Sequence, residues 1–173
     1  LFEQAAQQGD AVAMCHLGAM YAHGEGVEQS CEKAVEYYEQ AADLGHAKAM
    51  YNLGVMYEHG LGVKQSHEKA FEYYEQAADL GLAKAQFNVG GMYYKGDGVE
   101  QSYERAFEYY EQAADLGLAT AQYSLGVMYY KGDGVERDIA KAREWWTKAA
   151  AQGEKNAIKN LKLINKQTTE RTQ

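Results

Sequence analysis

The sequence predicts an all-α fold, a solenoid of stacked helix-turn-helix repeats. The first observation is an internal repeat, because EQAADLG occurs at Glu39–Gly45, Glu75–Gly81 and Glu111–Gly117, with a period of 36 residues. A repeat of two helices and two turns has about this length. The second observation is composition, since Pro is absent and helix-forming residues fill the segments between glycines. Stacked repeats build an extended surface rather than a closed active-site cavity.

Four blocks of the repeat align without a gap, and a shorter segment follows them. The predicted boundaries place a repeat array at 1–164 and a polar tail at 165–173. Within the array the blocks are 3–38, 39–74, 75–110 and 111–146, followed by a C-terminal capping helix over 147–164. The array therefore holds about four and a half repeats. The polar residues after Lys166 are expected to be disordered.

The first residues indicate that the chain opens inside a repeat. Leu1 and Phe2 fall in the phase of Tyr37 and Tyr38, and the first residue is not Met. We therefore expect a monomeric module of a longer protein, beginning within the second helix of a repeat.

Each repeat is predicted to contain two helices, named helix A and helix B. In one repeat, helix A covers about Ala47 to His59 and helix B about His67 to Leu80. The turn after helix B calls for a left-handed residue, and glycines recur there at Gly9, Gly45, Gly81, Gly117 and Gly153. A Gly-x-Gly-Val loop ends helix A, and the N-cap of helix B then falls on Ser30, Ser66, Ser102 or Asp138.

An apolar stripe on helix B predicts the core of each repeat. Small and aromatic residues recur there at spacings of three and four, as in Ala70, Tyr73, Tyr74, Ala77 and Ala78. The aromatic pair resembles a stacking platform for bases or sugars, but its presence in every repeat favours a structural role. We expect the following side chains in the core: Tyr37, Tyr38, Tyr73, Tyr74, Tyr109, Tyr110, Trp145 and Trp146.

The repeat pattern resembles that of a known family. From Ala47 to Gly81 the sequence reads A-x-A-x-x-x-L-G-x-M-Y-x-x-G-x-G-V and then K-A-x-E-Y-Y-x-x-A-A-x-x-G. This pattern is similar to the Sel1-like repeat, a relative of the tetratricopeptide repeat. The resemblance implies a right-handed α/α superhelix whose A helices line the concave surface. In the related tetratricopeptide proteins, Lys and Asn on that surface can clamp a peptide carboxylate.

Charge and cysteine content limit the classes of partner. A formal net charge of −8 argues against nucleic acid, because a phosphate backbone is bound by clustered Lys and Arg. No apolar run approaches a membrane span and no signal-peptide pattern is present, so no membrane partner is expected. Cys15 and Cys31 lie too far apart along the predicted hairpin for a disulfide, which favours a reducing, cytoplasmic compartment.

Catalytic, metal and cofactor sites have little support in the sequence. No nucleophile and base stand out from the repeat phase. His23 and His59 share a phase in adjacent repeats, but stacked helices lie about 8 to 10 Å apart, too far for one zinc ion. The Gly-Asp-Gly segments at 96–98 and 132–134 lack the pattern of a P-loop or an EF-hand and are interpreted as turns. We therefore expect no enzyme activity, no metal and no cofactor.

The strongest functional signal is a difference in charge between the two helices. The solvent-facing positions of helix B form an acidic stripe: Glu32, Glu36, Glu39, Asp43, Glu68, Glu72, Glu75, Asp79, Glu104, Glu108, Glu111 and Asp115. One stripe of helix A that the core does not use contains no acid and is named the helix A stripe: Val12, His16, Ala19, His23, Lys48, Asn52, Val55, His59, Lys84, Asn88, Gly91, Lys95, Thr120, Ser124, Val127 and Lys131. Such a surface favours negatively charged partners.

Hydrogen-bond donors on the helix A stripe predict a peptide-binding site, because ammonium and amide groups suit a carboxylate. Tyr94 and Tyr130 each follow a core tyrosine and are expected to be exposed, as anchors at an interface or as rim packing. The predicted peptide-binding residues are Lys48, Asn52, His59, Lys84, Asn88, Tyr94, Lys95, Ser124, Tyr130 and Lys131.

The functional prediction is a non-catalytic scaffold or adaptor that binds a protein or peptide, acidic or carboxylate-bearing, on its concave face. The alternative is a regulatory or accessory repeat domain of a longer enzyme chain. A self-contained hydrolase has no specific residue to support it. An ordinary solvated stripe without a ligand is the remaining interpretation of helix A.

Overall fold

The computed structural model describes the backbone from Phe2 to Arg171 and the side chains from Gln4 to Lys166. Within this range the chain is all-α, with ten helices and no strand, so the predicted all-α repeat fold is confirmed. The helices are α1 (Phe2–Gln7), α2 (Ala11–His23), α3 (Cys31–Asp43), α4 (Ala47–His59), α5 (His67–Asp79), α6 (Ala83–Lys95), α7 (Tyr103–Asp115), α8 (Ala119–Lys131), α9 (Ile139–Ala151) and α10 (Lys155–Arg171). The even-numbered helices are A helices, and α3, α5, α7 and α9 are B helices.

The described residues form two compact units. The first unit contains the residues up to Ala85 together with Asp97–Glu100, and the second contains Gln86–Gly96 and the residues from Gln101 onward. In the first unit, contacts join α1 to α2, α2 to α3, α3 to α4 and α4 to α5. In the second unit, contacts join α7 to α8, α8 to α9 and α9 to α10. Within each unit these contacts join helices adjacent in sequence, as a repeat array requires.

Capping residues set the helix boundaries close to the predicted positions. Helix α4 matches the predicted range, and α5 ends at Asp79, just before the predicted Leu80. The Ser66 hydroxyl accepts a hydrogen bond from the Lys69 N–H at 3.2 Å, which satisfies one free amide of α5. The equivalent bond recurs at the three other predicted N-caps. Gly81 has a φ of 84°, which confirms the left-handed turn between repeats.

The core of each repeat forms where an aromatic ring of helix B crosses a glycine of helix A. Tyr74 is 1% exposed, and a β-carbon placed on Gly54 would lie 2.5 Å from its ring. The same crossing pairs Gly18 with Tyr38, Gly90 with Tyr110 and Gly126 with Trp146. Each ring therefore fills the space that a side chain at the glycine would take. This contact explains a glycine inside a helix, where it costs about 1 kcal/mol relative to Ala.

Each helix B carries two adjacent aromatic residues, both of which are predicted to lie in the core. The second residue of each pair is buried, as predicted, whereas the first is only half-buried. Tyr73 stacks on Tyr57 of helix A with ring centroids 5.5 Å apart. The ammonium of Lys69 lies 5.1 Å from the centroid of the Tyr57 ring. Equivalent stacks join Tyr21 to Tyr37 and Tyr93 to Tyr109. These rings pack at the edge of the core, where one face still meets a cation or solvent.

The second glycine of three Gly-x-Gly loops touches the preceding repeat. A β-carbon on Gly62 would overlap the backbone of Cys31, at the start of α3. Gly98 meets the backbone of His67 and Gly134 meets that of Tyr103 in the same way. These three glycines therefore permit a backbone contact between consecutive repeats, in addition to their positive φ.

The C-terminal segment differs from the prediction. The predicted capping helix over 147–164 is interrupted, because α9 ends at Ala151 and Gly153 adopts a φ of 87° before α10 begins. Helix α10 is the A helix of a further repeat and continues to Arg171. The tail expected to be disordered is thus helical up to that residue, since neither Gly nor Pro interrupts it. The last part of that prediction, 172–173, lies outside the described residues.

Both cysteines are unpaired, as predicted. Cys15 is buried on α2 and Cys31 is half-buried at the start of α3. Burial raises the pKa of the Cys15 thiol, while Lys48 lowers it by a smaller amount. The thiol is therefore a core group with low thiolate character.

Candidate functional site

In the first unit, the predicted site residues lie on α4 and at the start of α6. Lys48, His59 and Lys84 are exposed, and Asn52 is half-buried. Lys48 and Asn52 are four residues apart on α4, so they are neighbours on one helix face. The structure therefore brings these two donors together, as the sequence predicts.

Asn52 acts on a tyrosine of the core. Burial raises the pKa of Tyr38 to about 12, Cys15 contributes to the rise, and the Asn52 amide opposes it. An amide has two N–H donors and an acceptor oxygen, so Asn52 has the groups to bind a ligand carboxylate.

Lys48 supplies the positive charge at the start of α4. The Nδ1 atom of His46 accepts a hydrogen bond from the Ala49 N–H at 3.2 Å and caps the helix. Burial lowers the pKa of His46, and Lys48 and His16 lower it further against an opposing effect of Asp10. His46 is therefore a half-buried, neutral N-cap.

In the second unit, the stripe residues lie on α6 and α8. Lys95 and Lys131 are exposed, while Asn88 and Ser124 are half-buried. Lys95 and Lys131 are the last residues of their helices. A cation is favoured at this end of a helix by the macrodipole, which gives both lysines a structural role besides any binding role.

Tyr94 is half-buried and holds a polar network, whereas the sequence predicts an exposed ring. Its hydroxyl donates to Asp133 Oδ2 at 2.8 Å and accepts from Lys131 Nζ at 3.2 Å. Its ring packs against Tyr103, with centroids 5.0 Å apart. Burial raises the pKa of Tyr94, and the bond to Asp133 raises it further. The bond with Tyr94 is the main cause that raises the pKa of Lys131, so this lysine is fixed in its charged form.

Tyr130 is also half-buried, because its ring packs on a core residue. The ring centroid lies 5.6 Å from that of Trp146. Arg137, in the loop before α9, contacts the same residue. Its guanidinium carbon lies 5.7 Å from the centroid of the Tyr130 ring, and its Nε donates a hydrogen bond to the Tyr130 carbonyl at 2.9 Å. Of the two predicted roles, rim packing therefore describes these contacts.

The structure has two clefts, one on each side of α8, that were not predicted from the sequence. One, of about 410 Å³, lies between α8, α9 and α10, and the other, of about 220 Å³, lies between α8, α6 and α7. Tyr123, Val127 and Lys131 line both. The sequence feature that could have indicated these clefts is Val127, an apolar residue on a stripe that faces solvent.

The acidic stripe is exposed on α3, α5 and α7, except for half-buried Glu75. At the start of α5, the pKa of Glu68 is lowered by the hydrogen bond with a backbone amide and by the bond with Ser66. The separation of charge between the A and B helices is thus present in the folded chain.

The Asp residues of the Gly-Asp-Gly loops serve local contacts. Asp97 Oδ1 lies 3.1 Å from Nδ1 of the half-buried His67. Asp133 accepts the bond from Tyr94 described above.

Among the side chains that the structure describes, no group of three His, Cys, Asp or Glu residues is placed to hold a metal ion. No helix in the described part of the chain is both long and apolar enough to cross a membrane.

The repeat geometry agrees with a family model. The model described as the Sel1 repeat matches residues 1–10, 11–46, 47–82, 83–118 and 119–154. The chain belongs to the Sel1 repeat family. The four 36-residue matches each begin at the first residue of a helix A, whereas the blocks read from the sequence begin within helix B; the period is the same. Sel1 repeat proteins are generally protein-interaction scaffolds and generally non-enzymatic.

Solved structures of the same fold extend beyond the length of this Sel1 repeat chain. A protective antigen of uropathogenic Escherichia coli with an SLR fold is 39% identical, with a TM-score of 0.86 over 88% of this chain and 32% of the antigen. A Sel1 repeat protein from Oxalobacter formigenes is 34% identical, with a TM-score of 0.83 over 92% and 64% of the two chains. An immunity protein from Pseudomonas aeruginosa is 27% identical, with a TM-score of 0.57 over 90% and 58%. No curated protein matches the Sel1 repeat chain.

Proposed function

We propose that this Sel1 repeat protein is a non-catalytic scaffold that binds a protein or peptide segment along the helix A stripe. The observation that carries the proposal is an accessible stripe without a single acidic residue in a chain of net charge −8. A negatively charged segment is attracted to such a surface. The general role of the family as protein-interaction scaffolds supports the same class of function.

The donors of the first unit suit a carboxylate. Lys48 and Lys84 are exposed ammonium groups, so they keep their hydration until a ligand replaces it. Asn52 is half-buried one helical turn after Lys48 and offers amide donors on the same face of α4. Charge-assisted hydrogen bonds from these groups favour a C-terminal carboxylate or an acidic side chain.

The acidic stripe gives the proposal a direction. Its carboxylates repel an acidic segment from helix B, whereas the helix A stripe accepts it. Like-charge repulsion of this kind selects a face as well as a partner. The second unit carries the same donor types on its own helix A stripe, at Asn88, Lys95, Ser124 and Lys131.

The descriptions of similar structures fit a non-enzymatic role. One is described as a protective antigen and another as an immunity protein, and neither description names a catalytic activity. These descriptions support the class of function alone, and the partner of this chain is defined by its own surface chemistry.

The Lys48→Glu/Lys84→Glu double variant tests the proposal. Ligands are selected by panning a phage library of random 20-residue peptides against the intact protein, and their affinity is measured by calorimetry with synthetic peptides. We expect at least a tenfold loss of affinity, about 1.4 kcal/mol, because two charge-assisted contacts become repulsive. Both lysines are exposed, so circular dichroism should show an unchanged fold.

The matched control is Lys33→Glu/Lys69→Glu, which makes the same change of net charge on helix B. Both of these lysines are exposed and lie over tyrosine rings on the other side of the hairpins. We expect their affinity to remain within twofold of the unchanged protein. Equal losses in the two double variants, or a loss in neither, would remove the helix A stripe as the binding surface.

A further inference from the structure

We infer that the two clefts flanking α8 receive two apolar side chains of the bound segment, on either side of an acidic residue held by Lys131. This inference rests on the proposed function and specifies its partner as an acidic peptide with paired apolar anchors. It concerns the second unit alone.

The shape of the surface supports paired anchors. The cleft between α8 and α10 has a volume of about 410 Å³, within the range of small-ligand sites, and the cleft on the α6 side has about 220 Å³. Val127 and Tyr123 line both, so the two clefts share α8 as a wall. A single bound segment crossing α8 therefore meets both clefts.

The walls of the larger cleft leave apolar surface in water. Leu163 of α10 is 51% exposed although it lines the cleft, and Val127 and Tyr130 are half-buried there. Removing apolar surface from water is favourable, and an apolar side chain of a ligand would cover the surface of this cleft. An anchor of Leu, Met or Phe type fits this chemistry.

The charge of the surface selects an acidic segment. Lys131 lines both clefts and lies between them. Its ammonium has three donors, of which one is used by the Tyr94 hydroxyl. Asp133 Oδ2 forms an ion pair with Lys131 Nζ at 3.9 Å, a distance too long for a hydrogen bond, and accepts a hydrogen bond from the Tyr94 hydroxyl. The remaining donors of a fixed cation can bind a carboxylate of the ligand.

The width of α8 sets the spacing of the anchors. A helix with its side chains is about 10 Å across, and an extended chain advances about 3.3 Å per residue. The two anchors are therefore expected about three residues apart, with Asp or Glu between them. Asn160, which is half-buried in the larger cleft, offers an amide for the ligand backbone.

The test uses Val127→Ser, which alters both clefts at once, with Val135→Ser as the matched control. Val135 is also half-buried, lies in the same unit in the loop before α9, and lines neither cleft. Peptides selected from the phage library of random 20-residue sequences should share the apolar-acidic-apolar pattern. We expect Val127→Ser to weaken their binding about tenfold, and Val135→Ser to change it less than twofold. Leu163→Ser should weaken binding about fivefold. Its control is Leu116→Ser, because Leu116 is also exposed and lies in the same unit.

Leu163 is exposed, so we expect the Leu163→Ser variant to fold. This variant therefore tests the inference even if the Val127→Ser variant does not fold. Selected peptides without the pattern, or equal effects of each variant and its control, would overturn the inference. In that case the Lys48→Glu/Lys84→Glu variant still reports on the proposed function by itself. A library that yields no binding peptide would remove both.

Discussion

At the scale of single residues, glycine decides how closely the two helices of a repeat approach. Gly90 and Gly91 are adjacent in α6, but only Gly90 faces a ring. A β-carbon there would lie 2.8 Å from Tyr110, whereas at Gly91 the nearest atom would be the Tyr110 hydroxyl at 3.5 Å. The first distance is an overlap and the second is ordinary contact.

Gly90→Ala and Gly91→Ala should therefore change stability in opposite directions. We expect Gly90→Ala to lower the free energy of unfolding by roughly 1 to 3 kcal/mol, because the ring or the helix must move. Gly91→Ala should raise it by about 0.5 to 1 kcal/mol through helix propensity. Urea denaturation measures both. A stabilising Gly90→Ala would show that the ring does not rest on the glycine.

The buried tyrosine at the same crossing predicts a pH dependence. Burial raises the pKa of Tyr110 to about 12, with a further contribution from Tyr94, against an unfolded value of about 10. The folded pKa is the higher one, so this stabilisation is complete below pH of about 10 and is lost as pH rises through about 12. Two pKa units correspond to about 3 kcal/mol.

Tyr110→Phe should remove this contribution. Its free energy of unfolding, measured by urea denaturation, should fall less steeply between pH of about 10 and 12 than that of the unchanged protein. Identical slopes would show that Tyr110 ionises as easily in the folded chain as in the unfolded one.

At the scale of helices and loops, the Gly-x-Gly motif has two roles that the sequence alone does not separate. Gly26 and Gly62 occupy the same motif position with φ of 74° and 69°. A β-carbon on Gly62 would overlap the backbone of Cys31 in the preceding repeat. On Gly26 it would meet only Met20 Cε, at 3.7 Å. The pair separates the strain of positive φ from the contact between repeats.

Gly26→Ala should cost about 1 kcal/mol, the strain of positive φ alone. Gly62→Ala should cost about 1 to 3 kcal/mol more, because a backbone contact between repeats is forced apart. Thermal and urea unfolding provide the two values. Equal costs would mean that the loops are spaced from the preceding helix B.

Local signals predicted the helices well. Serine N-caps, glycine turns and the stripe of Ala and Tyr act within one or two turns of the chain, so the boundaries of α4 follow from the sequence. Gly54 was not assigned its role, because the ring that covers it lies on another helix. A glycine in a helix interior is nevertheless a signal for close packing.

At the scale of the whole molecule, the charge pattern was predictable and the cleft surface was not. Repeat phase places Lys48 and Glu72 on different helices without knowledge of any contact. The half-burial of Tyr94 and Tyr130 depends instead on Asp133 and Trp146, which are distant in sequence. Periodicity therefore predicts which face a residue takes, whereas tertiary partners decide how much of it a ligand can reach.

The most direct test of peptide binding on the helix A stripe is NMR mapping. Isotope-labelled protein is titrated with a peptide selected from the library, and the backbone amide shifts are followed residue by residue. We expect saturable shifts along the A helices, at Lys48, Asn52 and Lys84 in the first unit and around Val127 and Lys131 in the second, while the acidic stripe of α3, α5 and α7 stays unchanged. Saturable shifts confined to the B helices would contradict binding on the helix A stripe.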